Sequence, residues 1–389
     1  MIEPFPFVSV FGSPYERGRQ HGSAVADRVR RSARFYAAQL DTLGSSGAAR
    51  EALIGEFRRT IEEFDAAYLD EMRGIADGAD LPLDAIIVIN ARTEIVAKAR
   101  LMARAQVSKA QDEAEMEAAE ERMADGCTGA IILPERSASG GVIQGQNWDW
   151  HPECVHTAIV LRIRRNDGPD LMTFVEAGGL GRHGMNSAGI CITGNYLRSD
   201  RDYSQEGVPL ALVRRKAMEQ EHLALAMKFV ATTPKACSTN MMLSHDDGFG
   251  INFECAPDEA FPVLPEDGLI VHANHWISPI ALGKLRDTGI GTAPDSQYRD
   301  WRVKRLLNQP RRPLTRDDLK AALFDDFLTP YSVCRPPRPK TTGDISASVA
   351  MILLEPKLGV MEVAPLPALN RSFTIYSLEG EPMAASRAA

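Results

Sequence analysis

Apolar positions along this chain change their period near residue 126. From Pro14 towards Leu43, and again from about Arg50 to Ala76, the pattern is amphipathic and helical, with charged residues between apolar ones. Ser13-Pro14-Tyr15-Glu16 starts the first helix: it supplies a capping hydroxyl, a proline at the first helical position and an acid three residues after the cap. A short apolar run, Leu83 to Asn90, follows the loop around Gly78. From Ala103 to Met123 the chain is rich in Ala, Glu, Lys and Gln with little apolar face, the pattern of an exposed helix or a mobile arm.

After Asp125-Gly126-Cys127 short apolar or alternating runs take over. Thr128–Leu133 and Gly141–Trp148 flank the turn from Ser137 to Gly140, and Thr157–Ile163 and Leu171–Glu176 flank Asn166-Asp167-Gly168, so two hairpins are expected. A helical block from Pro209 to about Val230 follows, then a hairpin around Asp246-Asp247-Gly248 and a strand from Leu269 to His275. Helices are expected at Ser296–Leu307 and Thr315–Phe327, and strands at Ser346–Leu354, Gly359–Val363 and Ser372–Ser377. Strands, helices, then strands again predict a layered α/β architecture with mainly antiparallel sheets rather than a βαβ relay.

Composition narrows the function classes. The 389 residues are 44% hydrophobic and 25% charged, as in ordinary soluble globular proteins. Net charge is −8 without a sustained Lys/Arg tract, so no footprint for nucleic acid or anionic membrane is present. The N-terminus lacks a basic segment followed by an apolar one, and no run is long enough to span a bilayer, so a cytoplasmic location is expected. The six cysteines are scattered and form no C-x-x-C pair, which argues against a zinc ribbon, a redox dithiol or a disulfide framework.

Cys127 stands at the junction of the two patterns, directly after a glycine. A glycine there permits strained or positive-φ backbone and leaves its carbonyl uncrowded, as an intramolecular N-to-S acyl shift requires. Cleavage would give Cys127 a free α-amine. Ordinary amine and thiol pKa values lie close together, at about 8 and about 8.5, so one residue can serve as nucleophile and general base. A buried cysteine at a strand start is the alternative that position alone leaves open.

Several motifs in register add to this. Asp125-Gly126-Cys127-Thr128 and Gly145-Gln146-Asn147-Trp148-Asp149 resemble the processing site and following strand of the acyl-coenzyme A:6-aminopenicillanic acid acyltransferase family, also called the C45 peptidase family. Ser13-Pro14-Tyr15-Glu16 with Gln20-His21-Gly22, Glu71-Met72-Arg73-Gly74-Ile75-Ala76 and Asn90-Ala91-Arg92-Thr93-Glu94 are similar to that family's pro-segment. Glu176-Ala177-Gly178, Gly184-Met185-Asn186-Ser187-Ala188-Gly189, His272-Ala273-Asn274-His275, Pro294-Asp295-Ser296 and Ser332-Val333-Cys334-Arg335 follow in the family's order.

The resemblance implies an αββα sandwich of the N-terminal-nucleophile class, made as an inactive precursor and cut between Gly126 and Cys127. Residues 1–126 would be a helical pro-segment or small chain and 127–389 the nucleophile-bearing large chain, together one catalytic domain. Cys127 takes the role of nucleophile, and Asp149 that of the carboxylate orienting the new α-amine. Asn274 matches the side-chain donor to the oxyanion. Arg335 matches a cation near the cysteine that favours thiolate and orients a carboxylate. Asn195 resembles a further polar site residue of the wider superfamily that includes bile salt hydrolases and penicillin V acylases. Those relatives carry an arginine where Gln146 stands, so no cationic role transfers to it. A turn-capping aspartate, a satisfied buried amide and a surface salt bridge are the plain alternatives for Asp149, Asn274 and Arg335.

His272 and His275, three apart on the expected strand, would point to opposite faces, which argues against a metal pair. No glycine loop suited to cradling phosphate is present, and no cofactor is expected. The sequence departs from the family in a longer hairpin tip, Glu135 to Gly141, and in the charged stretch Val107 to Met123, both able to reshape a pocket. The expected activity is hydrolysis of a linear amide of a small molecule through a thioester. Acyl transfer from coenzyme A to an amine is the alternative, and an unprocessed binding protein with an inert cysteine the remote one. Apolar helical faces carrying Phe35, Leu40, Leu53 and Phe57 should keep the cut fragments together.

Overall fold

The N-terminal third folds as expected into helices, but into more of them. The computed structural model describes residues 2–105, 126–339 and 345–384; most of the charged arm anticipated from Ala103 to Met123 lies outside the described residues. After β1 (Phe7–Val10) come α1 (Pro14–Ala24), α2 (Ala26–Thr42), α3 (Gly47–Phe64), α4 (Ala66–Ala79), α5 (Leu83–Asn90) and α6 (Arg92–Ala105). Ser13 and Glu16 form the predicted capping box. The single helix expected from Pro14 to Leu43 is divided at Val25, whose non-helical backbone closes α1 on the His21 carbonyl. The stretch from Arg50 to Ala76 is divided at Asp65, whose carboxylate accepts from the Ala67 amide. This competition for a backbone N–H is what makes aspartate a helix starter.

The break at Val25 leaves α1 free to lie along α4. A Cβ at Gly18 would stand 1.9 Å from the Glu71 carbonyl oxygen, and one at Gly74 2.1 Å from that of Tyr15. Gly22 and Gly78 are as crowded, so two glycine pairs spaced four apart let the helix backbones touch.

The remaining strands form two sheets. The first runs β1, β4 (Ala158–Ile163), β5 (Leu171–Glu176), β6 (His183–Asn186), β7 (Ile190–Tyr196), β8 (Thr239–His245), β9 (Phe249–Cys255), β10 (Ala260–Val263). The second runs β11 (Leu269–His272), β2 (Gly126–Ile132), β3 (Ile143–Trp150), β13 (Ile345–Glu355), β14 (Val360–Pro365), β15 (Thr374–Ser377), β16 (Met383–Ala384), with β12 (Arg338–Pro339) beside β13. Every pairing between these strands is antiparallel except β1 with β4. The other helices are α7 (Leu210–Met218), α8 (Leu223–Thr232), the short α9 (Pro279–Leu282), α10 (Ser296–Asn308) and α11 (Arg316–Leu323).

Period-two alternation assigns each strand residue to a layer. Ile159 and Leu161 pack with the N-terminal helices, α7 and α8 in one core. Their neighbour Val160 joins Phe174, Trp148 and Ile352 between the sheets. Met351 and Leu353 face Val303, Leu307 and Leu319 of α10 and α11. The order helix, sheet, sheet, helix is the αββα sandwich.

Polar motif residues fasten the N-terminal helices to the first sheet and α7. Glu71 accepts from both terminal nitrogens of Arg215, at 3.2 and 3.0 Å. Asn90 donates to the Gly178 carbonyl and accepts from the Leu180 amide. Glu94 accepts from the Leu210 amide, and His21 Nε2 from the Gly178 amide at 3.1 Å. Leu40, Leu53 and Phe57 are buried and Phe35 half-buried, so the expected apolar faces are covered too. No helix among the described residues is long and apolar enough to cross a membrane.

Candidate active site

Antiparallel pairing of β2 with β3 sets Gly126 opposite Asp149 and Cys127 opposite Trp148. The Cys127 side chain therefore joins Trp148 in the core between the sheets, while Thr128 faces α10. All six cysteines are buried and none is in a disulfide. Burial raises the thiols of Cys154, Cys191, Cys237, Cys255 and Cys334. These five are held as inert thiols.

Asn274 lies against Cys127. The strand expected to run through His275 ends at His272, and the chain turns there. Asn274 Oδ1 accepts from the Cys127 backbone N–H at 2.8 Å and from Arg299 Nη2 at 3.0 Å. Both partners can only donate, so the oxygen must face them and the amide orientation is fixed by chemistry. Nδ2 then points the other way, to the Tyr196 carbonyl at 2.9 Å. Ser296 Oγ accepts from the Asn274 backbone N–H at 2.7 Å, and Asn195 Nδ2 donates to the carbonyls of His272 and Ala273, each at 2.8 Å. Asn195 thus holds the backbone just before Asn274; its own Oδ1 is buried without a hydrogen bond. The same turn stacks the rings of His272 and His275, 6.3 Å apart, instead of sending them to opposite faces. His272 faces Glu254 at 2.8 Å and His275 faces Ser296 at 2.8 Å. Gln146 donates to the Gly194 carbonyl and accepts from its amide, a neutral tie between the sheets.

A chain of charges runs past Gly126. Arg335 Nε is 3.2 Å from Asp149 Oδ2, and the other face of its guanidinium pairs with Asp295. Arg299 Nε donates to Asp295 Oδ2 at 2.9 Å, and Arg299 Nη1 donates to the Cys127 carbonyl at 2.8 Å and to Thr128 Oγ1 at 2.7 Å. Burial works to raise the Asp295 carboxyl, but Arg335 and Arg299 outweigh it and hold the group below its usual range. For Arg335, burial opposes the charge while Asp295 and Asp149 restore it, and its pKa ends above the ordinary value. Ser348 Oγ donates to Asp149 Oδ1 at 2.5 Å and accepts from the Arg335 amide at 2.9 Å. The register of β13 slips between Ser348 and Ala350, a bulge of the kind that re-aims side chains beside sites.

Gly126 matters for a different reason from the one expected. It lies in β2 and is not among the glycines with positive φ. A Cβ there would meet Asp149 Oδ2 at 2.7 Å and Arg335 Nη1 at 2.9 Å, so glycine supplies room beside a buried ion pair rather than unusual backbone.

Cys127, Asn274, Asp149 and Arg335 are therefore brought together, with Asn195 one layer behind. Sequence reasoning missed Arg299 and Ser348, and gave Asp295, quoted within a motif, no role. Asp295 and Arg299, four apart at the start of an expected helix, were the available signal, because that spacing puts an acid and a base side by side.

A family model described as acyl-coenzyme A:6-aminopenicillanic acid acyl-transferase matches residues 136–363. The chain belongs to that family. It is an enzyme of this family, and its relatives are spread widely. The 40 kDa form of acyl-coenzyme A:6-aminopenicillanic-acid-acyltransferase from Emericella nidulans is 27% identical over 334 residues, 84% of each chain. An uncharacterized protein of Archaeoglobus fulgidus is 23% identical over 306 residues, 69% of this chain and 49% of that one. Among solved structures, a mutant of the conjugated bile acid hydrolase from Clostridium perfringens is similar with a TM-score of 0.46 and 12% identity, covering 67% of this chain and 96% of that one. Penicillin V acylase from Agrobacterium tumefaciens gives 0.38 and 14%, covering 65% and 86%.

Proposed function

We propose that this protein cuts its own chain between Gly126 and Cys127 and then hydrolyses a linear amide with Cys127 as nucleophile. The observation that carries this reading is the contact of the Cys127 backbone nitrogen with Asn274 Oδ1 at 2.8 Å, because it sets thiol, future α-amine and a side-chain amide side by side. In processing, Cys127 Sγ adds to the Gly126 carbonyl, the C–N bond breaks, and the acyl group passes to sulfur as the α-amine is freed. Water hydrolyses that thioester, giving the Gly126 carboxylate and the Cys127 thiol. Asp149 Oδ2, which has no hydrogen bond although Arg335 Nε is close, then faces the space that Gly126 occupied. It is placed to hold the new ammonium, with Arg335 balancing its charge.

In turnover, the α-amine takes the thiol proton as sulfur attacks the substrate carbonyl. Asn274 Nδ2 leaves the Tyr196 carbonyl to donate to the oxyanion, while Arg299 keeps Oδ1 and the Cys127 carbonyl fixed. The α-ammonium protonates the departing amine, leaving a thioester. Water, deprotonated by the same amine, releases the acid and restores the thiol. The family description and the Emericella relative favour a second reading, in which an amine resolves an acyl-enzyme drawn from coenzyme A.

Rapid quenching with a slow amide substrate tests the first reading. A peptide containing Cys127 should carry the acyl mass as a base-labile adduct. An adduct on another residue, or turnover with no adduct and an alkylated Cys127, would contradict it. A stoichiometric burst of free coenzyme A from acyl-coenzyme A, with sustained release only when an amine is present, would favour transfer.

A further inference from the structure

Asn274 sits between regular elements. β11 stops at His272, α9 begins at Pro279, and residues 273–278 lie in neither helix nor strand. Buried backbone N–H groups outside a ladder need other acceptors, and here side chains supply them. Ser296 Oγ takes the Asn274 N–H, and Asp287 Oδ2 takes that of Trp276 at 3.0 Å. Glu254 takes two more: Oε1 accepts from the Ile277 amide at 2.6 Å and Oε2 from the Ser278 amide at 3.0 Å.

Glu254 reaches this segment from the other sheet. It lies on β9, opposite Asn240 of β8 and Phe261 of β10, and its side chain is fully buried on the face that looks across at β11. Oε1 is 2.8 Å from His272 Nε2, while His272 Nδ1 is 3.0 Å from the Ala273 carbonyl. One carboxylate therefore grips the chain on both sides of Asn274, at His272 before it and at Ile277 and Ser278 after it. Burying a carboxylate is costly unless donors replace its lost hydration, and Glu254 has a ring nitrogen and two amides. Both of its oxygens are in use. Glutamine offers a single acceptor oxygen, so its amide nitrogen would face either the Ile277 or the Ser278 N–H.

We propose that Glu254 is a positioning residue for the oxyanion site: by fixing both ends of the 273–278 segment, it holds the Asn274 side chain against the Cys127 amide. The assignment rests on the reading above in which Asn274 donates to the oxyanion. The work is divided between two sheets. The Cys127 N–H and Arg299 decide which way the Asn274 amide faces, and Glu254 decides where its backbone stands. A donor aimed at developing charge is effective only when its place is set before the reaction begins. An error at either end of the segment is therefore felt in the transition state rather than in substrate binding.

A double-mutant cycle on the processed enzyme tests it. Glu254→Gln should lower kcat for an amide substrate on the order of 10- to 10²-fold, with KM little changed. Alkylation of Cys127 by iodoacetamide, which displaces iodide and builds no oxyanion, should keep its wild-type rate. In an Asn274→Ala background, where the positioned group is gone, Glu254→Gln should lower kcat no further. Glu254→Asp keeps an anion for His272 but is too short to reach both ends of the segment, so it should give the same pattern in a chain whose circular dichroism spectrum is unchanged. Wild-type kcat in both Glu254 variants would overturn the proposal. So would an equal fall in kcat with and without Asn274, or an equal fall in alkylation, since either marks a carboxylate that only supports the fold. Wild-type kcat in Asn274→Ala alone would instead overturn the oxyanion reading, and this inference with it.

Discussion

The seam that fastens the N-terminal helices and the pocket around Cys127 are both buried and polar, yet they are finished differently. At the seam each acid and amide meets its partner: Glu71 with Arg215, Asn90 with Gly178 and Leu180, Glu94 with Leu210, Glu176 with Tyr36 and Arg92. In the pocket, Asp149 Oδ2 and Asn195 Oδ1 are buried without a hydrogen bond among the described residues, and Asn274 Nδ2 donates to the Tyr196 carbonyl. At the seam the buried atoms left over belong to bases, Arg17 Nε and His21 Nδ1, whereas Asp149 and Asn195 leave acceptor oxygens able to take a donor that arrives later. The seam is thus read as structure and the pocket as chemistry, and substitutions should separate the two.

The largest effect is expected at Cys127. Cys127→Ala should abolish both self-cleavage and turnover while leaving the fold intact, shown by a single band on a denaturing gel and an unchanged circular dichroism spectrum. Cys127→Ser should still cut, slowly, because a hydroxyl makes the same acyl shift as a weaker nucleophile. At the seam, Glu71→Gln should cost about 3–5 kcal/mol of stability, since buried Arg17 and Arg215 both lose this carboxylate, with Glu219 left to Arg215. Urea melts measure that loss, and kcat of the folded fraction should stay near normal. A large fall in kcat at unchanged stability would erase the distinction between seam and pocket.

Asn274→Ala should behave in the opposite way. Turnover should fall on the order of 10²- to 10³-fold, with processing at least partly retained and stability changed little. Wild-type kcat in this variant would remove Asn274 from the oxyanion site.

Acid should act on the seam and beside the pocket over the same range. Burial, aided by the Arg215 guanidinium, lowers His21 to about 4. Its neutral ring accepts from the Gly178 amide across the seam, so protonation breaks that bond. The folded pKa is depressed relative to the unfolded one near 6.5, so the unfolded chain binds the proton first. Stability is full above about 6.5 and is lost as pH falls towards 4, on the order of 3 kcal/mol for this residue. His275, lowered to about 4 by burial and by His272, acts in the same direction. Chemical melts from pH 7 to pH 4.5 should show the decline, and His21→Asn should flatten it. A decline of the same slope in that variant would remove His21 from the account.

Much of the layered fold was legible because strand alternation and helical spacing are local signals. Gly126, Cys127, Asp149 and Asn274 were legible because motifs mark them in order. What escaped was set by contacts distant in sequence. The division at Val25 accompanies glycine faces on α1 and α4 that only meet in space. The stacking of His272 on His275 depends on where β11 stops, a boundary that the apolar run does not mark. Arg299 became visible only when α10 carried it to the Cys127 carbonyl, 172 positions away. The value of glycine at 126 lay in an ion pair between Asp149 and Arg335, not in its own torsion angles.

N-terminal sequencing of the large fragment, from protein purified without added protease, tests the central claim most directly. The account predicts a start at Cys127, with fragment 1–126 co-purifying through the seam. A start at any other residue, or full amidase activity from an uncut chain, would contradict it.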